Sequence, residues 1–253
     1  MGNATAIIPA RMGSTRFPGK ALAAETGTPM VVHVAQQAAR ASSVGRVVVA
    51  TDSEQIVEAT RTSGFDAVMT GEHDNGTSRV AEAARNLGLS DEATIVNVQG
   101  DEPEIEPEVI DAAVGGLTLP GARCSTVASP FATDEDPADP NIVKAVVGMA
   151  PEGFEARPAL YFSRANAPHQ RATPSPAAPL KHVGLYAYRL TDLAAYLALP
   201  PTPLEQTEKL EQLRWLEHGL TVAVALLATT HHGIDTPDQY AAFVDRWGAR
   251  TRT

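Results

Sequence analysis

Short runs of β-branched residues alternate with stretches of helical periodicity through the first half of this 253-residue chain. We predict strands at residues 5–8, 46–50, 67–69 and 94–98, and helices at residues 30–41, 53–62, 77–87 and 107–117. Parallel strands require a crossover connection, and an α-helix is the usual one. The alternation therefore predicts βαβ units, an α/β fold and a mainly parallel sheet.

The middle of the chain has a different pattern. We predict strands at residues 125–129, 142–147 and 182–189, an acidic loop at 133–141 and a proline-rich loop at 172–180. A helix at 203–217, a strand at 221–226 and a helix at 236–247 follow. This pattern indicates a strand-rich insertion, or arm, at roughly residues 125–190 within a single domain that spans residues 1–253.

The charge of the chain limits the partners it can attract. Its 30 acidic residues exceed its 20 lysines and arginines, so the net charge is −10. Such a chain repels nucleic acid and anionic lipid, so we expect neither partner, and any anionic ligand must meet a local basic patch. Cys124 is the single cysteine, and no targeting segment or membrane span is visible. We therefore expect a reducing, cytoplasmic location.

A compact group of cations follows the first predicted strand, in the sequence PARMGSTRFPGK at residues 9–20. Arg11, Arg16 and Lys20 supply positive charge, while two glycines let backbone N–H groups approach an anion closely. Ligands in an open α/β sheet lie outside the carboxyl ends of the strands, so this loop is predicted to bind phosphate. A solvated basic loop is the alternative interpretation.

The spacing within this loop disfavours two common nucleotide-binding motifs. A P-loop has four residues between its glycines, and its lysine is followed by Ser or Thr. Here five residues separate Gly13 from Gly19, and Ala21 follows Lys20. No G-x-G-x-x-G motif follows a predicted strand. P-loop kinases, ATPases and dinucleotide dehydrogenases are therefore disfavoured.

Acidic residues follow two later strands. Asp101 and Glu102 come directly after the strand at residues 94–98, and Asp235 follows the strand at residues 221–226. Mg²⁺ sites commonly use one or two carboxylates together with phosphate oxygens, so Asp101 and Asp235 are candidate ligands. The alternative makes Asp235 a turn residue or a helix N-cap. The pair His231-His232 has no third ligand at a suitable spacing and is predicted to be surface.

Seven sequence blocks occur together along nearly the whole chain. They are PARMGSTRFPGK, VNVQGDEP, DPNIVKAVV, YFSRA, HVGLYAYR, PLEQTEKLEQLR and GIDTPDQ. In this order they closely resemble the 3-deoxy-D-manno-octulosonate (Kdo) cytidylyltransferases, or CMP-Kdo synthetases. The resemblance implies a three-layer α/β/α Rossmann-like nucleotidyltransferase fold with an inserted dimerisation arm. It also implies an Mg²⁺-dependent homodimer that converts CTP and Kdo into CMP-Kdo and pyrophosphate, usually for lipopolysaccharide core synthesis.

The resemblance carries roles over to matching positions. The implied catalytic residues are Arg11, Lys20 and Asp101. The implied CTP-binding residues are Ala10, Arg11, Ser14, Arg16, Lys20, Thr77, Arg79 and Gly100. Asp101 and Asp235 match the Mg²⁺ ligands. The positions that resemble the acidic-sugar pocket are Gln99, Arg164, His182, Tyr186, Glu208 and Gln212.

The implied roles match what transfer of CMP to a sugar hydroxyl requires. The anomeric hydroxyl of the sugar must attack the α-phosphate of CTP while pyrophosphate leaves in line, which depends on positioning and charge neutralisation. Arg11, Lys20 and Mg²⁺ would offset the growing charge, and the guanidinium of Arg164 matches a sugar carboxylate bidentately. Taken alone, His182 is more often a structural histidine. Glu208 and Gln212 are spaced i, i+4 and so share one face of the predicted helix.

Several positions depart from the family pattern. Ser78 stands where an acid is usual, and the loop after Arg164 reads ANAPHQR where an isoleucine-proline pair and an aromatic residue are usual. The nucleotide loop is kept, so CTP use is better supported than Kdo itself. One alternative is a cytidylyltransferase for amino-Kdo, another octulosonate or a sialic acid. Another is a non-catalytic nucleotide-binding regulator. A glycosyltransferase-like protein would need a D-x-D motif, which the sequence QGDE fits poorly.

Overall fold

The computed structural model describes residues 2–172, 175–230 and 233–250. The chain divides into two compact units, the first made of residues 1–110 and 231–253 and the second of residues 111–230. The single domain with an arm at about residues 125–190 stays a prediction. The pair His231-His232 lies outside the described residues, as do positions 173 and 174 of the proline-rich loop.

The first unit contains a parallel sheet of four strands. These are β1 (Ala4–Ala10), β2 (Val44–Thr51), β3 (Asp66–Met69) and β4 (Thr94–Asn97). Their order is β3-β2-β1-β4, with Ile7 of β1 opposite Val48 of β2 and Asn97 of β4. Their carboxyl ends therefore meet at one edge. Ile7 and Ile8 are both fully buried, which explains why β1 has a continuous apolar run rather than an alternating one.

The predicted helices of the first unit form with small changes at their ends. They are α1 (Met30–Ala38), α2 (Glu54–Thr62), α3 (Gly76–Asn86) and α8 (Pro237–Arg250), while α4 (Pro107–Gly116) includes the division between the units. A buried cluster of Met30, Ile234, Tyr240 and Phe243 joins α1 to α8 and the segment before it, and Phe17 packs against this cluster. This packing holds the segment that carries Asp235 beside the loop after β1.

The second unit contains five strands with mostly antiparallel pairing. They are β5 (Ala122–Pro130), β6 (Lys144–Val147), β7 (Arg157–Ser163), β8 (Leu180–Arg189) and β9 (Thr221–Leu226). Their order is β8-β5-β9-β7-β6, and β6 also pairs with β8, so the pairings form a closed cycle. Only β5 and β9 pair in parallel. Strand β7 was not among the predicted strands; it contains Pro158, a residue that weakens a strand signal.

The helix predicted at residues 203–217 is wrong. The structure has α6 (Pro203–Glu208) and α7 (Leu213–Glu217), separated at Lys209, whose φ is 55°. This left-handed conformation costs about 1–2 kcal/mol in a non-glycine residue. The break brings the guanidinium of Arg214 within 2.5 and 2.8 Å of the two carboxylate oxygens of Glu205. A helix α5 (Leu190–Ala198), which the sequence analysis did not predict, follows β8 directly.

The helices of both units are short. The 14 residues of α8 make it the longest among them. In the part of the chain that the structure describes, no helix combines the length and the apolar composition needed to cross a membrane.

Candidate active site

A cleft opens at the edge of the first unit where the parallel strands end. Ten residues predicted from the sequence line it: Ala10, Arg11, Ser14, Arg16, Lys20, Arg79, Gln99, Gly100, Asp101 and Asp235. They come from the end of β1 and the loop after it, the start of α3, the loop after β4 and the segment before α8. Thr77, the remaining predicted CTP-binding residue, lies next to the cleft residue Gly76 but is not part of the lining.

The ammonium group of Lys20 joins three of these segments. Its Nζ donates hydrogen bonds to Asp101 Oδ2 at 2.7 Å, to the backbone oxygen of Ile234 at 2.8 Å and to Asp235 Oδ1 at 3.1 Å. The side chain is only 14% exposed. An ammonium has three N–H donors, so these bonds use all of them. Arg16 adds a second cation, with its Nη2 at 2.8 Å from Asp235 Oδ2.

The environment of Asp101 favours a cation beside it. Burial raises the pKa of this carboxyl group, and the negative charges of Glu102 and Asp235 act in the same direction. The charge of Lys20 and its hydrogen bond to Asp101 lower the pKa. A positive partner therefore stabilises the ionised form of Asp101 against burial.

The two carboxylates fit a divalent cation. Asp101 and Asp235 both contact one nitrogen, so a single cation can reach oxygens of both. Carboxylate oxygens are ligands that Mg²⁺ prefers, and it usually completes its shell with water and substrate phosphate. Within residues 2–172, 175–230 and 233–250, no group of three or more His, Cys, Asp or Glu side chains could hold a metal. A cation held here would need further oxygen ligands, such as water or the phosphates of a nucleotide.

The loop after β1 presents an available guanidinium. Arg11 is exposed, and its side chain makes no hydrogen bond or ion pair with any described residue. The loop is shaped by Gly19, whose φ of 72° suits glycine and whose N–H donates to the backbone oxygen of Met12 at 3.1 Å. Ser14 accepts a longer bond of 3.4 Å from the N–H of Phe17.

Close packing of the backbone leaves no room for a side chain at Gly100. A Cβ atom added there would lie 2.6 Å from the backbone oxygen of Pro9, a contact that a larger residue could make only if the backbone moved. The end of β1 and the loop after β4 therefore pack closely at this point. This contact brings Ala10 and Asp101 into the same cleft.

Arg79 lines the cleft, and its guanidinium is already bonded to other protein groups. Its side chain is 3% exposed. Its guanidinium donates to Asp52 Oδ2 at 2.6 Å, to Thr70 Oγ1 at 2.7 Å and to the backbone oxygen of Gly71 at 3.3 Å. In this arrangement Arg79 braces the ends of β2 and β3, and a direct contact with CTP stays a prediction.

Sequence reasoning missed part of the lining. Pro9, Gly13, Thr15, Ala21, His73, Asn75 and Gly76 also line the cleft. Asn75 is the N-cap of α3, and its Oδ1 accepts bonds of 2.9 Å from the N–H and the hydroxyl of Ser78. An Asn directly before a helical pattern is a recognisable cap signal, so this residue could have been found. The position of His73 depends on its contact with Glu82, which no local pattern indicates.

Most of the predicted sugar residues lie in the second unit. There Glu208 accepts a bond from Ser163 Oγ at 2.8 Å, and its other carboxylate oxygen accepts from the backbone N–H of Arg164 at 2.9 Å. The hydroxyl of Tyr161 lies 3.5 Å from Glu208 Oε1, the oxygen that Ser163 also contacts. Gln99 differs from the rest of the set because it lines the cleft of the first unit.

The guanidinium of Arg164 is held by backbone oxygens. Its Nε donates to the oxygen of Glu208 at 2.8 Å, and its Nη1 donates to the oxygen of Pro140 at 3.0 Å. An arginine side chain has five N–H donors, so others remain for a ligand. The side chain is thus oriented before any ligand binds.

The shared helix face predicted for Glu208 and Gln212 is wrong. Glu208 is the last residue of α6, and Gln212 is a buried residue at the N-cap of α7. The left-handed turn at Lys209 lies between them, so the i, i+4 relation of a continuous helix does not hold.

His182 has a tautomer set by its neighbour. Its Nε2 lies 2.9 Å from Thr126 Oγ1, which is also 2.8 Å from the backbone oxygen of Leu185 and 3.1 Å from that of Val183. The hydroxyl has one proton, and its short contact with the Leu185 oxygen favours donation to that carbonyl, which leaves Nε2 to donate to the hydroxyl. Its other nitrogen, Nδ1, is then an acceptor. Burial lowers the pKa of His182 to about 4, which keeps the ring neutral.

Tyr186 lies on the same face of β8 as His182. The two residues are four positions apart on one strand, and their ring centroids are 5.7 Å apart. The ring of Phe162 makes an edge contact with His182, with centroids 4.9 Å apart. Burial raises the pKa of Tyr186 well above its usual value. Both polar groups are therefore neutral hydrogen-bonding groups at neutral pH.

We expect His182 to stay neutral with its proton on Nε2 down to about pH 4, because burial disfavours the charged form. Side-chain ¹⁵N NMR across a pH titration measures both the pKa and the tautomer. Thr126→Val should release the tautomer preference, whereas Thr118→Val, at an exposed threonine bonded to Gly115, should not. A wild-type pKa near 6.5 or a proton on Nδ1 would contradict this assignment.

Comparison with protein families places most of the chain in one family. The profile of the cytidylyltransferase family matches residues 5–222, which is most of the chain. The match includes the loop after β1 and the loop after β4, which supply Lys20 and Asp101.

Similarity to individual proteins identifies the group within this family to which the chain belongs. The chain is 47% identical to a 3-deoxy-manno-octulosonate cytidylyltransferase of Anaeromyxobacter dehalogenans, over 94% of this chain and 95% of the relative. It is 45% identical to the protein of the same name from Geobacter sulfurreducens, over 96% and 99%. A solved CMP:2-keto-3-deoxy-manno-octonic acid synthetase complexed with CTP superposes with a TM-score of 0.88 at 36% identity, covering 98% of this chain and 100% of that one. The predicted α/β nucleotidyltransferase fold is confirmed, and the chain belongs to the 3-deoxy-manno-octulosonate cytidylyltransferases within the cytidylyltransferase family.

Proposed function

We propose that this chain transfers CMP from CTP to the anomeric hydroxyl of Kdo and releases pyrophosphate. The observation that carries the proposal is the Lys20 ammonium joined to Asp101 and Asp235 at the end of a phosphate-binding loop. Such a cluster of two carboxylates and a cation is suited to a metal-bound triphosphate. The names of the relatives supply the sugar.

The cations of the loop have different tasks in this mechanism. Arg11 is exposed and unbonded within the described chain, so it is available for phosphate oxygens from the start. Lys20 has all three donors occupied, so it must give up at least one bond before it contacts phosphate. Arg16 would bind phosphate or continue to pair with Asp235. Together these groups would offset charge on the α-phosphate and the leaving pyrophosphate.

Asp101 and Asp235 would hold Mg²⁺ in place of Lys20. When bound, Mg²⁺ would neutralise phosphate charge and orient the triphosphate. Lys20 would contact phosphate only after giving up a bond to Asp101, Asp235 or Ile234. Ser14, Ala10, Gly100, Thr77 and Arg79 would shape the nucleotide site, with Arg79 acting through the cleft wall.

The second unit would supply recognition of the acidic sugar. Arg164 is oriented by Glu208 and Pro140, and its free N–H groups suit a carboxylate. The Nδ1 of His182 would accept a bond from a sugar hydroxyl, and Tyr186 lies beside it. Glu208 would act mainly by positioning Arg164, because its carboxylate is already bonded to Ser163 and Arg164.

Pyrophosphate release from CTP and Mg²⁺, with and without Kdo, tests the function. We expect release that depends on Kdo. Lys20→Met should lower kcat by about a hundredfold or more, because a charge-neutralising donor is lost in the transition state. Arg85→Met removes an exposed cation of the same unit and should leave kcat unchanged.

Other results of the pyrophosphate-release assay would change the proposal in different ways. Release with a different 2-keto acidic sugar, such as an amino-Kdo or a sialic acid, would keep the reaction and change the substrate. CTP binding without release for any such sugar would indicate a nucleotide-binding regulator. Near-normal kcat in Lys20→Met would remove Lys20 from the mechanism.

Asp235→Asn should raise the Mg²⁺ concentration needed for half-maximal activity. The amide keeps the shape of the side chain but loses the charge that would attract the metal. The matched control is Asp238→Asn, an exposed acid at the start of α8. An unchanged Mg²⁺ titration of pyrophosphate release would leave Asp235 as a turn residue.

The exposed apolar residues of the β6–β7 region support the proposed homodimer. Met149 is 88% exposed and Leu160 is 61% exposed, which is unusual for large apolar side chains. Both lie at or next to the hairpin formed by β6 and β7. A second copy of this chain, docked on this hairpin, would bury them.

Leu160→Glu should convert the dimer into a monomer of 26.7 kDa, because it places a charge in an apolar contact. Sedimentation velocity measures the change. Met69→Glu, at an exposed methionine of the first unit, should leave the dimer intact. A wild-type protein that already sediments as a monomer would contradict the proposal.

The cytoplasm is the expected location. Cys124, the single cysteine, is buried and burial raises its pKa far above the usual value, so it neither forms a disulfide within the chain nor reacts readily. The family resemblance adds lipopolysaccharide synthesis as the expected use of the product.

A further inference from the structure

Lys144, the first residue of β6, carries a fully buried ammonium group. Its Nζ donates to the backbone oxygens of Ile142 and Arg164 at 2.6 Å and of Asp139 at 2.9 Å. The residue is 0% exposed. Among the residues that the structure describes, no carboxylate forms an ion pair with it. All three of its hydrogen bonds therefore go to backbone carbonyl groups.

The three carbonyl groups require the charged form of the lysine. An ammonium has three N–H donors, whereas a neutral amine has two. Burial lowers the pKa of Lys144, while the negative charges of Asp139 and Glu208 act in the opposite direction. Charge-assisted bonds offset the cost of removing the cation from water. Loss of this side chain would remove a hydrogen bond from each of the three carbonyl groups, of which that of Asp139 would keep a backbone donor, the N–H of Ile142 at 3.2 Å.

The carbonyl groups belong to two segments that meet at Arg164. Asp139 and Ile142 lie on either side of Pro140, whose oxygen accepts a bond from Arg164 Nη1 at 3.0 Å. The third carbonyl is that of Arg164 itself. Lys144 thus ties the turn at 139–142 to the backbone of Arg164, and the side chain of Arg164 returns to the same turn.

We propose that Lys144 is a positioning residue that fixes the guanidinium of Arg164 and thereby the affinity for the acidic sugar, without touching the substrate. This inference rests on the proposed role of Arg164 in sugar binding. Two restraints on Arg164 pass through Glu208, through its backbone oxygen and its carboxylate. The other two, at the carbonyl of Arg164 and at Pro140, depend on the turn that Lys144 holds.

The opposite end of the acidic loop provides a matched control. Lys181 Nζ lies 2.5 Å from Glu135 Oε1, and both side chains are 9% exposed. Glu135 also accepts a bond from the backbone N–H of Ala132 at 2.8 Å. Glu135→Gln therefore weakens a buried lysine contact of the same loop without changing any bond to Arg164.

Lys144→Met should raise the KM for the sugar by about tenfold or more, while the KM for CTP stays within about twofold. Glu135→Gln should lower the Tm but leave the sugar KM within about twofold. In an Arg164→Ala background, Lys144→Met should add almost nothing to the sugar KM, because it acts through the missing guanidinium. Equal increases in both backgrounds, or equal losses for sugar and CTP, would overturn the proposal.

A second readout does not depend on turnover. The Nε–H resonance of Arg164, assigned by its loss in Arg164→Lys, should shift or broaden in Lys144→Met and stay in place in Glu135→Gln. If Lys144→Met does not fold, Lys144→Gln retains two N–H donors and replaces it in both measurements. An unmoved Arg164 resonance overturns the role of Lys144. Absence of sugar-dependent release in the wild type instead overturns the proposed function, so the two failures are distinct.

Discussion

The ammonium of Lys20 is the contact on which the candidate active site depends. It joins a loop after β1 to acids that lie 81 and 215 positions further along the chain, Asp101 and Asp235. Apolar packing of Phe17 against the cluster that includes Ile234 and Tyr240 keeps the last segment close enough for this contact. With all its donors used, Lys20 stabilises the cleft, and in the proposed mechanism it would have to give up one of these bonds to contact a phosphate.

Buried cations have a structural part in this acidic chain. Arg79 braces the ends of two strands through Asp52 and Thr70, and Lys144 holds a turn through three carbonyl groups. Each is stabilised by several short hydrogen bonds, which offset the cost of burial. Arg11 is different because it is exposed and has no bonded partner among the described residues. The chain therefore separates cations that set geometry from a cation that is available to a phosphate.

Much of the first unit could be predicted from periodicity. Strands such as β1 and β2 and the helices between them follow from local patterns that repeat within a few residues. The second unit was harder to predict, because Pro158 weakens the strand signal of β7 and because the predicted helix is interrupted at Lys209. Helical periodicity at 203–217 was present in the sequence, but the helix is interrupted at Lys209, which lets Glu205 and Arg214, nine positions apart, form an ion pair.

The sequence by itself determined the α/β class, the basic loop with Arg11 and Lys20, and the acids at the strand ends, because each is encoded by neighbouring residues. Only the tertiary structure decided what those side chains bond to. It buried Arg79 in the lining of the cleft and directed the guanidinium of Arg164 to backbone oxygens. It also placed the hydroxyl of Thr126 beside the ring of His182, where it influences the tautomer. The physical reason is that a buried polar group must find its partners among residues that the fold brings together, and those partners lie too far apart in the chain for any local pattern to specify.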